Sequence, residues 1–322
     1  MYTSTLRALD SYAATNPFTW VYGLGRSLLA LGTLITLGFS GPSILFDEQL
    51  FGKMSLNATL ESFNIFFCFG FGQLHYAYAV SIGVLLLVIS GVFPRYTGVL
   101  HWLVTYSLFQ AASIVEGGDQ IGSIITMLLI PVTLLDGRNN HWVNRPHAQT
   151  NRYANFIARG ALALIALQMA VLYFHAGIEK MYKLDEWKNG TAVYYFFNDP
   201  LFGYPDWIRG LLATSLTNAY VVTSLTWGTM AFEILLFGAL FMAPANRKKL
   251  LWLAVGFHLG IALIFGLVSF FLAMCGGLVL YLIPVQTPYP ALRQRKAGYK
   301  QEPEAGGLAA PPEYGRLEPV GT

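Results

Sequence analysis

Long apolar blocks separated by short polar stretches dominate the chain. We identify eight such blocks, at residues 20–40, 74–93, 97–114, 121–135, 153–175, 219–243, 250–266 and 268–284. Apolar residues fill these blocks without helical or strand alternation, and a helix that is apolar all round is either deeply buried or in lipid. A bilayer core asks for about 20 apolar residues per helix. The pattern therefore predicts an all-α polytopic membrane helix bundle with about eight transmembrane helices.

The last two blocks form one continuous apolar stretch of about 35 residues, which is too long for a single span. Gly266 offers a place to turn, so we divide the stretch there. The alternative is one long tilted helix, which would move the C-terminus to the other side of the membrane.

Composition agrees with a membrane protein. Hydrophobic residues make up 55% of the chain and charged residues only 11%, whereas a soluble domain carries roughly 25% charged residues. Membrane lipid is therefore an expected partner. The net charge of +3 gives no reason to expect a nucleic-acid partner. The first fifteen residues hold no apolar run, so we expect no cleavable signal peptide.

Basic residues are distributed unequally between the two sides. With eight spans and a cytoplasmic N-terminus, 13 of the 20 Lys and Arg residues fall on the cytoplasmic side and 5 on the outer side. The positive-inside rule favours this orientation in a plasma membrane, with both termini cytoplasmic. The predicted organisation is listed in order: a cytoplasmic N-terminal segment (1–19), a transmembrane domain (20–284) with outer loops 41–73 and 176–218, and a cytoplasmic, largely disordered tail (285–322).

Cys68 and Cys275 are too few for a disulfide scaffold or a cysteine-based metal cluster. They could form one bridge, but we expect two buried thiols that behave as small apolar residues. The histidines are scattered without HExxH spacing, so we predict no metal site.

Arg26, Glu233 and His258 are ionisable side chains that fall within predicted spans. Such groups are costly in a membrane and usually face the protein interior, so each is a functional hypothesis. The alternative is that they pair and merely fix helix packing. For Arg26, and for Arg159 near another helix end, snorkelling to the interface is a further alternative.

Two motifs fall on the predicted outer side. The first, residues 116–120 (EGGDQ), places Asp119 where it could act chemically or simply cap the following helix. The second, residues 175–187 (HAGIEKMYKLDEW), contains Lys180 after two small residues. A lysine held against an apolar boundary loses solvation and can become a general base. The alternative is an interfacial lysine that snorkels, and Glu179 and Lys183 can form an ordinary i,i+4 ion pair.

The second motif resembles the HTTM domain of vitamin K-dependent γ-carboxylases. The stretch AGIEKMYKLDEW carries the resemblance together with Gly190 and the aromatic run YYFFNDPLFGYPDW. Arg26, the turn PVTLLDGRNNHW and the stretch FHLGIALIFGLVSFF agree in the same order. The resemblance covers most of residues 17–284.

A second resemblance is to the SdpB family of bacterial membrane proteins. It rests on the opening NPFTWVYGLGRSLLALGTLITLGF, the GGDQ turn, the DGRNNHW run and the length. This resemblance implies a role in producing a secreted antimicrobial peptide, and it implies two partners: a small protein and an exported peptide precursor.

The carboxylase resemblance implies that Lys180 deprotonates a reduced quinone, which is the candidate cofactor. The predicted site residues are Lys180, Asp119 and His258 for catalysis, with His175, Gly177, Trp187, Glu233 and Arg26 around the ligand. The chain departs from the carboxylases because it has Gly117-Gly118-Asp119 where they carry a histidine. It also has no large lumenal domain after its last span, so glutamate carboxylation is not the expected reaction.

Three functions compete at this stage. A membrane enzyme that matures an exported peptide predicts that the polar residues converge on one pocket. A non-enzymatic export or immunity factor predicts a polar path across the bilayer or a peptide groove, and it tolerates loss of Lys180. A small-molecule transporter ranks third, because we find no inverted repeat.

Overall fold

The computed structural model describes residues 2–49, 51, 62–143, 151–200, 203 and 205–287. Within them, long helices form a single bundle. They are α1 (Tyr2–Ala14), α2 (Trp20–Phe39), α3 (Leu74–Ser90), α4 (Pro94–Ala111), α5 (Gly117–Leu135), α6 (Arg152–Lys183), α7 (Ala219–Gly238), α8 (Pro244–Phe265) and α9 (Val268–Leu282). Short helices are Pro42–Leu45, Ile65–Phe69, Asp185–Lys188, Ala192–Phe197 and Arg209–Leu216, and short 3-10 turns are Phe71–Gln73, Asp206–Ile208 and Ala239–Phe241.

The predicted all-α architecture is confirmed. Each of the eight apolar blocks forms a helix, and the described residues contain no strand beyond one isolated bridge between Val92 and Asn140. Six helices are long and apolar enough to cross a membrane, namely α2, α3 with its preceding turn, α5, α6, α7 and α8. The chain is thus a polytopic membrane helix bundle. Eight crossings remain a prediction, because α9 has 15 residues and α4 does not reach the same hydropathy.

The division of the last apolar stretch is confirmed as a turn. Helix α8 ends at Phe265, and Gly266 follows with φ +73°, a left-handed conformation that glycine adopts without strain. Helix α9 begins at Val268 and packs back against α8. A single long helix is therefore wrong for this stretch.

Helix α6 is longer than the predicted block 153–175. It continues through the first eight residues of the predicted outer loop 176–218 and ends at Lys183. The extension consists largely of good helix formers, and the pair Glu179–Lys183 joins successive turns at 2.7 Å. Lys180 therefore lies on a helix rather than in a loop. We refer to the side of the bundle where α6 ends as the Lys183 face.

Helices α2 and α9 pack closely against one another. A Cβ atom on Gly276 would lie 2.9 Å from the carbonyl oxygen of Gly25, and one on Gly25 would lie 2.6 Å from the side chain of Leu280. Small residues let helix backbones approach closely in membranes, where dispersion contacts rather than water exclusion drive association. These two glycines thus set the distance between α2 and α9.

The two cysteines are both free thiols. Cys275 is buried in α9 as expected, but Cys68 is exposed on the short helix Ile65–Phe69, which corrects the expectation that both are buried. The Asn64 side chain caps the start of that short helix by accepting hydrogen bonds from the backbone amides of Phe66 and Phe67. Its amide group also donates to the Ser107 carbonyl oxygen at 3.0 Å. The short helix therefore packs against α4, while the Cys68 thiol is exposed. The disordered tail predicted from residue 285 falls mostly outside the described residues.

We expect Gly276→Ala to destabilise the bundle. The added methyl group has no room beside the Gly25 backbone, and overpacking costs about 1–3 kcal/mol. The midpoint of thermal unfolding in detergent should fall by several degrees. Gly256→Ala is the matched control, since that helical glycine has open space around it. Equal midpoints for the two variants would contradict the close approach of α2 and α9.

Candidate functional site

The site is built where α6 crosses α7. Gly177 makes the crossing close, because a Cβ atom there would lie 2.8 Å from Ile234 and 3.4 Å from the carbonyl oxygen of Met230. Gly177 is buried in this contact. Gly177 thus brings the two helices together one turn before Lys180, and its place beside a ligand stays a prediction.

Lys180 and Glu233 form an ion pair across this crossing. The Lys180 ammonium donates to both carboxylate oxygens of Glu233, at 2.6 and 2.8 Å, and to the carbonyl oxygen of Ala176 at 3.1 Å. All three N–H groups are therefore used. Ala176 precedes Lys180 by one turn, so the amine points back toward the middle of α6. A snorkelling lysine would extend the opposite way, and this geometry contradicts that alternative.

Trp187 covers the pair. Its ring centroid lies 5.1 Å from the Lys180 nitrogen, within the range of a cation–π contact. The indole is buried and packs with Ala192 and Met230. Trp187 comes from the short helix Asp185–Lys188, which follows α6 directly. The chain thus folds back over its own lysine immediately after α6 ends.

An apolar cavity of about 520 Å³ lies beside the ion pair. Phenylalanine and aliphatic side chains from α7, α8 and the Ala192–Phe197 helix form most of its lining. Lys180, Glu233 and Thr229 supply its polar groups. A cavity of this size and composition suits an apolar ligand of moderate size, with polar chemistry confined to one end.

A second cavity of about 450 Å³ adjoins the first and shares part of its lining. It is more polar, and Lys180 and Glu233 line it as well. Its other polar side chains are Gln120, Gln168, Tyr173, His175 and His258. Lys180 and Glu233 are thus part of the lining that an apolar cavity shares with a more polar one.

Two predicted histidines reach the second cavity. His175 is mostly exposed, and its ring lies 3.6 Å from the Glu179 carboxylate. His258 is buried, and its Nδ1 lies 2.8 Å from the Ala254 carbonyl oxygen. The structure thus brings Lys180, Glu233 and both histidines around one cavity. Their catalytic or binding roles stay predictions.

Asp119 does not join this group. It is buried at the start of α5, where its carboxylate accepts a hydrogen bond from the Glu116 amide at 3.2 Å, and the Glu116 side chain also caps the helix. Glu116 in turn accepts a hydrogen bond from Ser269. Asp119 is absent from the described lining of both cavities. Helix capping explains its position, so the expectation that it shares the Lys180 cavity is corrected.

Arg26 belongs to a separate buried cluster. It is fully buried and donates to Thr97 at 2.7 Å and to His141 Nδ1 at 3.2 Å. An arginine can only donate, so His141 accepts at Nδ1 and carries its proton at Nε2, toward Ser27. Burial, with Arg26 and Arg138 nearby, lowers the pKa of His141 to about 3. Arg26 thus holds helices and a loop together instead of snorkelling, and it is absent from the described cavity linings.

Arg159 also has partners within the protein. Its guanidinium donates to the carbonyl oxygen of Tyr12 at 2.8 Å and lies 3.8 Å from the centre of that ring. The contact attaches α1 to α6. Packing between helices therefore accounts for Arg159 better than snorkelling does.

Sequence reasoning missed several neutral residues that line the cavities, chiefly Tyr173, Gln120, Gln168, Phe257 and Phe270. Aromatic and amide side chains are common in membrane helices and carry no charge signal. These residues can be recognised as part of the candidate site only from their positions around the Lys180–Glu233 pair in the folded protein.

Comparison with known proteins identifies the family. The Bacillus subtilis (strain 168) protein named sporulation-delaying protein SdpB is 36% identical over 290 residues, which cover 87% of this chain and 87% of that protein. The chain therefore belongs to the SdpB family. An uncharacterized protein of the same organism, YitO, is 38% identical over 275 residues, covering 84% of this chain and 88% of its own length. No family model and no solved structure matches the chain.

In this SdpB-family protein, the Lys180–Glu233 pair should behave as a structural unit. Removing one member of a buried pair leaves an uncompensated charge and costs about 3–5 kcal/mol, whereas replacing both by apolar residues is often neutral. We expect Glu233→Leu to lower the midpoint of thermal unfolding in detergent, and Lys180→Met combined with Glu233→Leu to recover most of the loss.

Lys183→Met is the matched control, because Lys183 forms an exposed ion pair with Glu179 on the same helix. It should change the midpoint little. A double variant no more stable than Glu233→Leu alone would contradict the pairing.

Proposed function

We propose that this SdpB-family protein takes part in maturing a secreted antimicrobial peptide, with Lys180 as the general base of the modification step. The observation that supports this proposal is the direction of the Lys180 side chain. Its amine turns into the bundle and pairs with Glu233, and Lys180 lines both an apolar and a polar cavity. The name sporulation-delaying protein, carried by the relative SdpB, fits a role in peptide production.

Glu233 has a defined part in this proposal. An ammonium with three occupied N–H groups holds no free electron pair, so Lys180 must first give up a proton to act as a base. Glu233 is placed to take it at 2.6 Å, which converts an ammonium–carboxylate pair into a neutral amine and a carboxylic acid. Filling the apolar cavity favours this neutral form, because the two charges then lose their remaining solvation. The amine can next accept a proton from the ligand or substrate.

The first cavity fits the reduced quinone that the carboxylase resemblance implies. Its lining is almost wholly apolar and aromatic, and one end presents the Lys180 amine and Trp187. A reduced quinone, when bound, supplies a hydroxyl group whose proton an amine base can remove. Phe257 and Phe270 would hold the ring away from water, while Lys180 holds the transferred proton at its nitrogen. A small partner protein and the exported peptide precursor complete the proposed system.

The decisive test compares the peptides that cells secrete with wild-type or Lys180→Ala protein, after membrane levels are matched. We expect at least about 100-fold less mature peptide from Lys180→Ala, since a positioned general base contributes about 10²–10⁴-fold. Mass spectrometry should reveal an unmodified or unprocessed form of the peptide in its place. The mass difference between this form and the mature peptide would identify the reaction.

Lys183→Ala provides the control, because Lys183 forms an exposed ion pair and is absent from both cavity linings. It should leave the secreted peptide unchanged. Equal loss from both variants would show that the fold of this helix end matters rather than the Lys180 amine. Unchanged peptide from Lys180→Ala would refute the base and favour an export or immunity factor.

The proposed orientation places the Lys183 face outside the cell and both termini in the cytoplasm. It rests on the positive-inside distribution of Lys and Arg. We expect a reporter enzyme fused after residue 300 to be active only in the cytoplasm. A reporter active outside would contradict the eight-span topology with a cytoplasmic C-terminus, and the side on which the Lys180 site lies would have to be determined anew.

A further inference from the structure

The lining of the second cavity includes a tyrosine whose hydroxyl group the proposed chemistry leaves unused. Tyr173 lies on α6 and is 2% exposed. Its Oη atom is buried and has no hydrogen-bond partner among the described residues. Buried polar groups are nearly always hydrogen-bonded, because an unsatisfied one loses its hydration without compensation. Tyr173 lines the second cavity, so the missing partner can come from there.

His258 supplies the complementary group. Its Nδ1 lies 2.8 Å from the Ala254 carbonyl oxygen, which can only accept, so Nδ1 carries the ring proton. In the neutral ring, Nε2 is then an acceptor, and no described residue donates to it. The rings of Tyr173 and His258 lie 6.2 Å apart at 72°. No described carboxylate forms an ion pair with His258 that would favour a charged ring.

A free hydroxyl donor and a free imidazole acceptor in one cavity match a particular ligand chemistry. A secondary amide offers a carbonyl oxygen to Tyr173 and an N–H group to His258. Gln120 and Gln168 also line the cavity and can donate and accept without net charge, and His175 is a further polar side chain there. The cavity charges of Lys180 and Glu233 already neutralise one another, so an ionic ligand group would find no free counter-ion there.

The mouth of the cavity lies on the Lys183 face. Gly117 and Gln120 at the beginning of α5, and His175 near the end of α6, line it and are exposed to solvent. We expect a ligand to enter past these exposed residues, without crossing the apolar cavity. The volume of about 450 Å³ is that of a small-molecule or short-peptide site, and far more than one water molecule needs.

We propose that the second cavity binds a short, uncharged, extended segment of the substrate peptide through its main-chain amide, with Tyr173 donating to the carbonyl oxygen and His258 accepting from the N–H group. This inference rests on the proposed function, because it assigns the peptide to the same site. It gives the two cavities different occupants. The segment would lie beside the Lys180–Glu233 pair, as the apolar ligand would.

The test uses a photoreactive peptide on the purified full-length protein in lipid nanodiscs. The probe is N-acetyl-alanyl-photoleucyl-alanine amide, whose diazirine labels neighbouring residues on irradiation. We expect mass spectrometry to locate the label on residues of the second cavity in α5, α6 and α8. Tyr173→Phe should lower labelling there about 2- to 10-fold, the range for one neutral hydrogen bond. Tyr182→Phe is the matched control, since that tyrosine is exposed on the same helix, and it should leave labelling unchanged.

Two related probes examine the charge and the His258 contact. The same tripeptide with free, charged termini should label less than the acetylated amide. An analogue with an ester oxygen in place of the photoleucine N–H should also label less in wild-type protein. The ester and the amide should label equally in His258→Leu, because that variant lacks the acceptor.

Labelling in the apolar cavity alone, equal labelling by charged and neutral probes, or no effect of Tyr173→Phe would each overturn the inference. The assay measures binding without any maturation step. Specific labelling together with normal peptide from Lys180→Ala would keep this inference and reject the proposed function. Loss of mature peptide in Lys180→Ala without specific labelling would do the reverse.

Discussion

A lipid bilayer offers no hydrogen-bond partners, and this constraint governs where every polar group of the bundle can lie. Helices satisfy the backbone internally, but polar side chains must find partners on neighbouring helices. Arg26 reaches Thr97 and His141, and Lys180 reaches Glu233. Each contact ties together segments far apart in the sequence. The polar groups therefore specify which helices are neighbours, while glycine contacts set how closely they approach.

The sequence was sufficient to predict the helices, because their signal is local. Apolar blocks of the right length predicted all eight segments, and Gly266 marked the turn before α9. The ends were less predictable. Helix α6 extends to Lys183 because its last turns are good helix formers with an ion pair between them. Hydropathy alone does not predict such an extension, because charged residues end an apolar block without ending the helix.

The site was predictable only in part. Charge in an apolar context identified Lys180, Glu233 and His258, and the structure brings all three to one cavity. The pairing of Lys180 with Glu233 depends on how α6 crosses α7, which no local pattern encodes. Asp119 was grouped with them because a carboxylate before a span can either cap or react, and the chain alone does not distinguish these uses. Tyr173 escaped notice because its unsatisfied hydroxyl group exists only in the folded protein.

The ion pair is a wall common to both cavities, and this has a thermodynamic consequence. A ligand that draws Lys180 or Glu233 toward one cavity changes the surface that the other cavity presents. By linkage, each ligand must then alter the affinity of its neighbour by the same factor, whichever binds first. If the two proposed ligands bind as inferred, occupancy of the two cavities is one coupled equilibrium. Two salt-bridged side chains would then suffice to make each binding event depend on the other.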